Sequence, residues 1–400
     1  MGSSGVGRVS VPTRVVVGAL VASGAAVVIG AIATAAVVIA VARTVITPPR
    51  RWSEKVRILA LGTGTVTLSR TTDTSLAGTY GLWFDGGGGH ARVGPILSET
   101  DATVTRELIH VDFGDLAVGG RARIGAWVYL QPDDIGFPWS EVMVPTTAGP
   151  APAWLIPAEG DRGSWVINVH GRGVRRAETL RAVEVFRRSG YTSLLVSYRN
   201  DGDAPASADG RYALGDTEWE DIDAAIVYAA NHGATDVVLM GWSMGGATVL
   251  QAVTRSQAAS VVSGIVLESP VVDWLTALRH QGRGLGVANP FRHGVFVLLT
   301  RKWGGRFTGQ LQPIDLARLN FVARAADLSV PILILHSADD QRIPATASRL
   351  LAELRPDIVT YEEFPQAGHT RLWNHDPVRW ESTIASWLSR RPAASGHTGR

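Results

Sequence analysis

The chain has 400 residues, 46% of them hydrophobic, and 38 Lys and Arg against 36 Asp and Glu give a formal net charge of +2. That is enough for one large core plus a smaller one, and the near balance of charge gives no field to attract nucleic acid, so no nucleic-acid partner is expected. There is no cysteine, which excludes disulfides, Cys-based zinc sites and a thiol nucleophile; the ten histidines show neither H-x-x-x-H nor H-E-x-x-H spacing, so neither a metal nor a cofactor is expected.

After an N-terminal tail of residues 1–14, Val15 to Ala42 is an uncharged run of Val, Ala, Ile, Leu and Gly between Arg14 and Arg43. As a helix it would reach about 40 Å, more than the roughly 30 Å of a bilayer's hydrocarbon core. The apolar part of a signal peptide is shorter, about 7–15 residues. The run therefore predicts a transmembrane helix over 15–42, a single-pass N-terminal membrane anchor. Ala40-Val41-Ala42 keeps a cleaved signal as one alternative, and a buried soluble helix is the other. The membrane side stays open: Arg43, Arg50, Arg51, Lys55 and Arg57 outnumber Arg8 and Arg14 and favour a cytoplasmic catalytic domain, yet large domains behind one N-terminal helix are often exported.

Pro48-Pro49 ends the run. Residues 52–138 then show short alternating segments, Thr65–Leu68, Tyr80–Phe84, Leu108–Val111 and Ile124–Tyr129, which predict a small β-rich region of unknown role. Gly86 to Gly89 lack the Lys-Ser/Thr of a phosphate loop and read as a hairpin turn.

From 139 to 390 strands and helices alternate. Glu141–Pro145 and Ala153–Ile156 predict a hairpin, followed by buried strands at 165–169, 193–196, 237–240, 264–267, 331–335 and 358–361. A helix from about Arg175 ends at Gly190; another opens with a Thr217-x-x-Glu220 capping box and closes at Gly233. The last helix starts at Asp376-Pro377 and turns Trp380, Ile384, Trp387 and Leu388 inward. Uninterrupted apolar strands between amphipathic helices mean an α/β fold, a mostly parallel sheet covered by helices on both faces. An apolar insertion of about 271–328 is a candidate cap or a peripheral helical excursion. Residues 391–400 read as a disordered tail.

Candidate chemistry starts at Gly241-Trp242-Ser243-Met244-Gly245, a G-x-S-x-G elbow between a strand and a helix. A serine hydroxyl is a poor nucleophile at neutral pH and needs a base, itself oriented by an acid. His369 closes the loop after the last strand and is the candidate base. His336-Ser337-Ala338-Asp339-Asp340-Gln341-Arg342-Ile343-Pro344 offers two neighbouring carboxylates, Asp339 and Asp340. The backbone amides of Met244 and Arg172, the latter in His170-Gly171-Arg172-Gly173, would form an oxyanion hole. The Arg172, Arg175 and Arg176 side chains read as surface cations, with an anionic substrate group as the alternative partner.

HGRG, GWSMGG, HSADDQRIP and AGH, in this order, resemble the α/β-hydrolase superfamily over roughly Glu141 to Arg390. Within it the chain is similar to the branch of prolyl-oligopeptidase-like and acyl-protein-thioesterase-like serine hydrolases. The resemblance implies an α/β-hydrolase fold and an acid four residues after His336, at Asp340, with Asp339 facing solvent or capping the turn; Ser337 stands where the family loop has glycine. It further implies a membrane-anchored serine hydrolase with Ser243, His369 and Asp340 as its triad, cleaving a small-molecule or lipid-like ester or thioester, with an amide as the alternative. The β-region is too short for the propeller of prolyl oligopeptidases, which argues against a peptidase. The alternatives are an acyltransferase with the same triad and a catalytically silent, membrane-tethered binding module.

Overall fold

A computed structural model describes residues 34–49, 52–160, 162–284 and 289–391. The predicted tail of residues 1–14 lies outside them, as do 392–400 and the first part of the predicted membrane helix. Residues 34–46 are helical (α1), with Val38, Ala42 and Ile46 buried along one stripe. Among the described residues no helix is long and apolar enough to cross a membrane.

The chain forms two compact units, one of residues up to 45 with 286–313, the other of residues 46–285 and 314–400. The larger begins with six antiparallel strands, β1 (Val56–Gly62), β2 (Thr65–Ser69), β3 (Tyr80–Phe84), β4 (Gly89–Glu99), β5 (Thr103–Phe113) and β6 (Arg121–Gly125), closed into a barrel in the order β1-β2-β5-β4-β3-β6. Alternate residues point inward: Val56, Ile58, Val66, Leu68, Tyr80, Leu82, Ala91 and Val93 fill the interior. The segment Ile124–Tyr129, expected as one strand, leaves the barrel after Gly125. Trp127 and Tyr129 pack instead on the core of the following sheet beside Trp154 and Leu180.

That sheet has eight strands, β7 (Ser140–Thr146), β8 (Gly149–Ile156), β9 (Ser164–Val169), β10 (Thr192–Val196), β11 (Asp236–Trp242), β12 (Val262–Glu268), β13 (Ile332–Ser337) and β14 (Val359–Phe364), in the order β14-β13-β12-β11-β9-β10-β8-β7. From β9 to β14 all pairs are parallel; β8 runs antiparallel to both β7 and β10. Helices α2 (Val183–Arg188), α3 (Trp219–Asn231), α4 (Met244–Arg255), α5 (Trp274–Gly284), α6 (Asn289–Thr300), α7 (Gly305–Thr308), α8 (Thr346–Leu354), α9 (Leu372–His375) and α10 (Pro377–Arg390) complete the chain. The first crossover places β10 on one side of β9 and the second returns β11 to the other. The carboxyl ends of β9 and β11 thus flank the point where the winding reverses, where open α/β sheets bind ligands.

Local signals acted as expected at α10, whose Asp376 side chain accepts the Arg379 amide ahead of Pro377 and whose Trp380, Ile384, Trp387 and Leu388 are buried. The capping box at α3 does not form. Glu218 turns back onto the amides of Ala213 (2.7 Å) and Gly215 (2.8 Å), so the helix opens at Trp219. Arg391, read as part of the tail, is tied to Ser263 Oγ (2.9 Å) and Tyr191 OH (2.8 Å). In the smaller unit α1 lies against α6, where a Cβ on Gly294 would stand 3.0 Å from Val38 Cγ1, and Arg43 Nε donates to the Phe307 carbonyl (2.7 Å).

The barrel is docked on the segment after His369. Thr79 N donates to Asn374 O (3.1 Å), Asn374 Nδ2 donates to the carbonyls of Thr79 (2.8 Å) and Ala126 (3.0 Å), and Arg371 pairs with Asp73 (2.7 Å). The fully buried Arg106 fixes the docking loop from inside, donating to the carbonyls of Thr74, Leu76, Gly78 and Gly94. Gly78 has φ +107°, and a Cβ there would lie 1.9 Å from Asn374 O. Gly78→Ala should therefore destabilise by more than the about 1–2 kcal/mol of a left-handed backbone alone. Gly64→Ala is the control, since Gly64 has φ +65° and open space around it. Urea unfolding of both variants tests this: equal losses would mean that the docking contact carries no weight.

Candidate active site

β11 ends at Trp242, α4 begins at Met244, and Ser243 between them has φ 51° and ψ −114°. This is backbone that L residues adopt only under strain, about 1–3 kcal/mol. The flanking glycines are required by space. A Cβ on Gly241 would lie 2.7 Å from Gly245 O, and one on Gly245 2.2 Å from Val169 O. Ser243 N donates to Glu268 O (3.1 Å), and Ser243 O accepts the amides of Gly246 and Val271 (3.0 Å each).

His369 Nε2 lies 2.9 Å from Ser243 Oγ and its Nδ1 lies 2.7 Å from Asp340 Oδ2. With Nδ1–H donated to the carboxylate, Nε2 is left to accept the serine proton. Asp340 is buried, and its other oxygen accepts the amides of Arg342 and Ile343 (2.9 Å each). His336 Nε2, 3.4 Å from Asp340 Oδ2, adds a further contact. Burial opposes ionisation of Asp340, but the attraction of His369 and the hydrogen bonds from His336 and His369 outweigh it and hold the carboxyl well below the usual carboxylate range.

Asp339 neither faces solvent nor stops at capping its own turn. It is half-buried, and its Oδ1 accepts the Ser337 hydroxyl (2.5 Å) and the amides of Gly368 (2.9 Å) and Ala367 (3.2 Å). The neighbouring carboxylates divide the work: Asp340 touches the imidazole and Asp339 holds the loop that carries it. Ser337 in place of the family's glycine becomes part of that latch, donating to Asp339 and accepting the Ala367 amide (3.0 Å). Thr370, with φ 54°, gives its amide to Ser269 Oγ (3.1 Å).

Met244 is the residue after the serine. Arg172 follows Gly171, where a Cβ would stand 3.4 Å from Ser243 Cβ. Residues that the sequence did not single out shape this loop. Tyr198 OH donates to the carbonyls of His170 and Gly171 (3.0 Å each), its ring stacks on His170 at 4.3 Å, and His170 Nε2 meets buried Asp201 at 3.2 Å. All are long-range contacts from the turn after β10, with no spacing signal to mark them. Of the three arginines read as surface cations Arg175 is exposed, whereas Arg172 and Arg176 are drawn into the fold. Arg172 donates to Thr47 O (3.0 Å) and lies over the Tyr212 ring, buried Arg176 lies 4.4 Å over Trp154 and pairs with Glu141 (2.9 Å), and Arg175 pairs with Asp203 (3.2 Å).

Residues 166–382, more than half of the chain, match the model of the Alpha/beta hydrolase family, and residues 57–125 match a domain of unknown function, DUF8805. Human protein ABHD12B is 28% identical over 208 residues, 50% of this chain and 52% of that protein, so the chain spans about half the length of this relative. Among solved structures, the esterase Pf2001 of Pyrococcus furiosus superposes with TM-scores of 0.52 and 0.50 in two crystal forms. At 16% and 17% identity it covers 66% of this chain and 95% and 97% of that one, a likeness of fold. The chain belongs to the Alpha/beta hydrolase family.

The two carboxylates should separate in kinetics. An amide in place of the orienting carboxylate costs about 10⁴ in turnover in the trypsin-type triad. Asp340→Asn should lower kcat by a comparable factor, whereas Asp339→Asn, whose side-chain oxygen can still accept the two amides, should cost about tenfold or less. Purified variants assayed on a p-nitrophenyl ester decide this, and the reverse ranking would move the acid to Asp339.

Proposed function

We propose that the protein is a membrane-anchored serine hydrolase of esters or thioesters, acting on a small-molecule or lipid-like acyl substrate through an acyl-enzyme. Ser243 Oγ attacks the acyl carbonyl while His369 Nε2 takes its proton, and Asp340 keeps the imidazole in the required tautomer and supports its charged form. The amides of Met244 and Arg172 receive the oxyanion. The tetrahedral intermediate collapses as His369 returns the proton to the leaving oxygen or sulfur, and water repeats the cycle to free the acid. The observation that carries this reading is His369 hydrogen-bonded at one nitrogen to Ser243 and at the other to Asp340.

The test is activity-based: a fluorophosphonate should label Ser243, and Ser243→Ala should lose both labelling and turnover. Labelling elsewhere, or turnover undiminished in the variant, sinks the assignment.

The anchor is proposed on the uncharged run from Val15 to Ala42. The contacts of α1 and its linker say where to cut. Ile46 is fully buried, with its carbonyl accepting Tyr212 N (2.8 Å), and Thr47 O accepts the Arg172 side chain. Deleting residues 1–33 should release the protein from membranes with its esterase activity intact, because the remaining helix spans only about 20 Å. Deleting residues 1–51 should also remove the brace on the Arg172 loop and lower kcat. Fractionation and ester assays on both truncations check this. Continued membrane residence of the shorter truncation would place the anchor elsewhere.

A further inference from the structure

Two guanidinium groups near the triad have no polar partner among the described residues. Arg123, half-buried, lies between two indoles, 5.5 Å over Trp52 and 5.1 Å over Trp83, with no hydrogen bond or ion pair from its side chain. Arg342 lies 6.0 Å from the Trp52 ring; its backbone amide donates to Asp340 and its carbonyl accepts Gln281 Nε2 (3.3 Å), while its side chain makes no hydrogen bond or ion pair among the described residues. The other arginines around the site are spent: Arg371 on Asp73 and the Ile124 carbonyl, Arg106 on four carbonyls, Arg172 and Arg176 as described. Trp52 joins the two free ones to the reacting centre, since a Cβ on Gly173 of the Arg172 loop would stand 3.1 Å from its Cζ2. Arg342 is two residues from the acid.

The surroundings leave these cations under-compensated. Burial pulls Arg123 down to about 10; Glu54 and Glu178 oppose the shift, and Arg342 and Arg371 add to it. Neither glutamate forms an ion pair with Arg123 or Arg342. Arg342 is open to solvent, yet the protein around it is dense enough to lower its pKa, with Arg371 adding to burial against Asp73, Asp340 and Glu178. An indole face fixes the planar fork of arginine without using its donors, which stay free for a bidentate oxyanion.

We propose that Arg123 and Arg342, on Trp52, form an anion subsite beside Ser243, and that the acyl ester this enzyme takes carries a phosphate or carboxylate group. The proposal rests on the serine-esterase reading for the position of the reacting carbonyl and extends it by naming the charge of the substrate.

The test uses the full chain and two matched esters, octanoyl-glycerol and octanoyl-glycerol phosphate. The wild-type protein should favour the phosphate ester in kcat/KM by about tenfold or more, with the difference mostly in KM. Arg342→Gln, at an exposed position, should cut that ratio several-fold, and Arg342→Lys should keep part of it. Arg123→Gln with Arg342→Gln should bring it near one. Equal rates on the two esters in the wild type, or an unmoved ratio in Arg342→Gln and in the double variant, would overturn the subsite. Calorimetry of glycerol phosphate on Ser243→Ala separates the two readings without turnover. Binding that Arg342→Gln weakens, in a protein that hydrolyses no ester, would sink the esterase reading and support the subsite; ester turnover with no glycerol phosphate binding would do the opposite. Competition by vesicles containing phosphatidic acid, set against free glycerol phosphate, tells a lipid headgroup from a soluble anion.

Discussion

Glu268, at the end of β12 and fully buried, joins the two halves of the site. Its backbone carbonyl accepts the amide of Ser243 (3.1 Å), and its carboxyl oxygens accept Trp242 Nε1 (2.9 Å), Trp380 Nε1 (2.9 Å) and the amide of Leu372 (3.1 Å). The neighbour of Ser243, the start of the helix behind the histidine loop and the core face of α10 thus converge on one side chain. A buried carboxyl group is tolerable only when its acceptors are filled, and a half-filled set is worse than an apolar core. Because the donors come from three separate elements, the arrangement is satisfied only when all three stand in one relative position. That position brings His369 to Ser243.

The strain at Ser243 follows from this frame. A serine at φ 51° would relax if its strand could slide or its helix tilt. The strand cannot, since β11 is hydrogen-bonded in parallel register on both sides, Gly241 opposite Val169 and Leu267. The helix cannot, since Gly245 lies against the backbone of β9 and Gly246 against Pro270, where a Cβ would stand 2.7 Å from the proline Cβ. The histidine loop is held with the same redundancy: Asp339 and Ser337 from below, Ser269 beside it, and the barrel beyond it through Asn374 and Arg371. A region in which composition shows no chemistry is therefore a wall of the loop that carries His369.

Much of the site could be read from the sequence because its signals are local. The elbow needs small residues at fixed offsets, and the likeness of the loop closed by Ile343-Pro344 to the family loop favoured Asp340 over Asp339, the carboxylate found 2.7 Å from His369 Nδ1 being that of Asp340. The barrel was only partly legible. β1 buries just Val56 and Ile58 of its seven residues, and β4 passes several bulges against β5, so neither keeps the strict alternation that identifies a strand. Residues whose role depends on distant partners were misread or missed. Arg176 looks like a solvated charge until Trp154 and Glu141 are in place, and Glu268 looks like the polar end of a strand until two tryptophans arrive from sequence positions 26 and 112 residues away.

The same distinction explains why the arginines of this chain cannot be judged as a class. Arg106, fully buried, fills its donors with four carbonyls, which offsets the cost of desolvating a guanidinium. Arg123 has its packing, between two indoles, but not its acceptors, and Arg342 has neither carboxylate nor carbonyl on its side chain. Folding alone gives no reason to hold two like charges against one tryptophan at the edge of a reactive centre. Their placement makes physical sense if something outside the fold meets these donors, and Trp52, beside which both lie, also packs at Gly173 of the Arg172 loop.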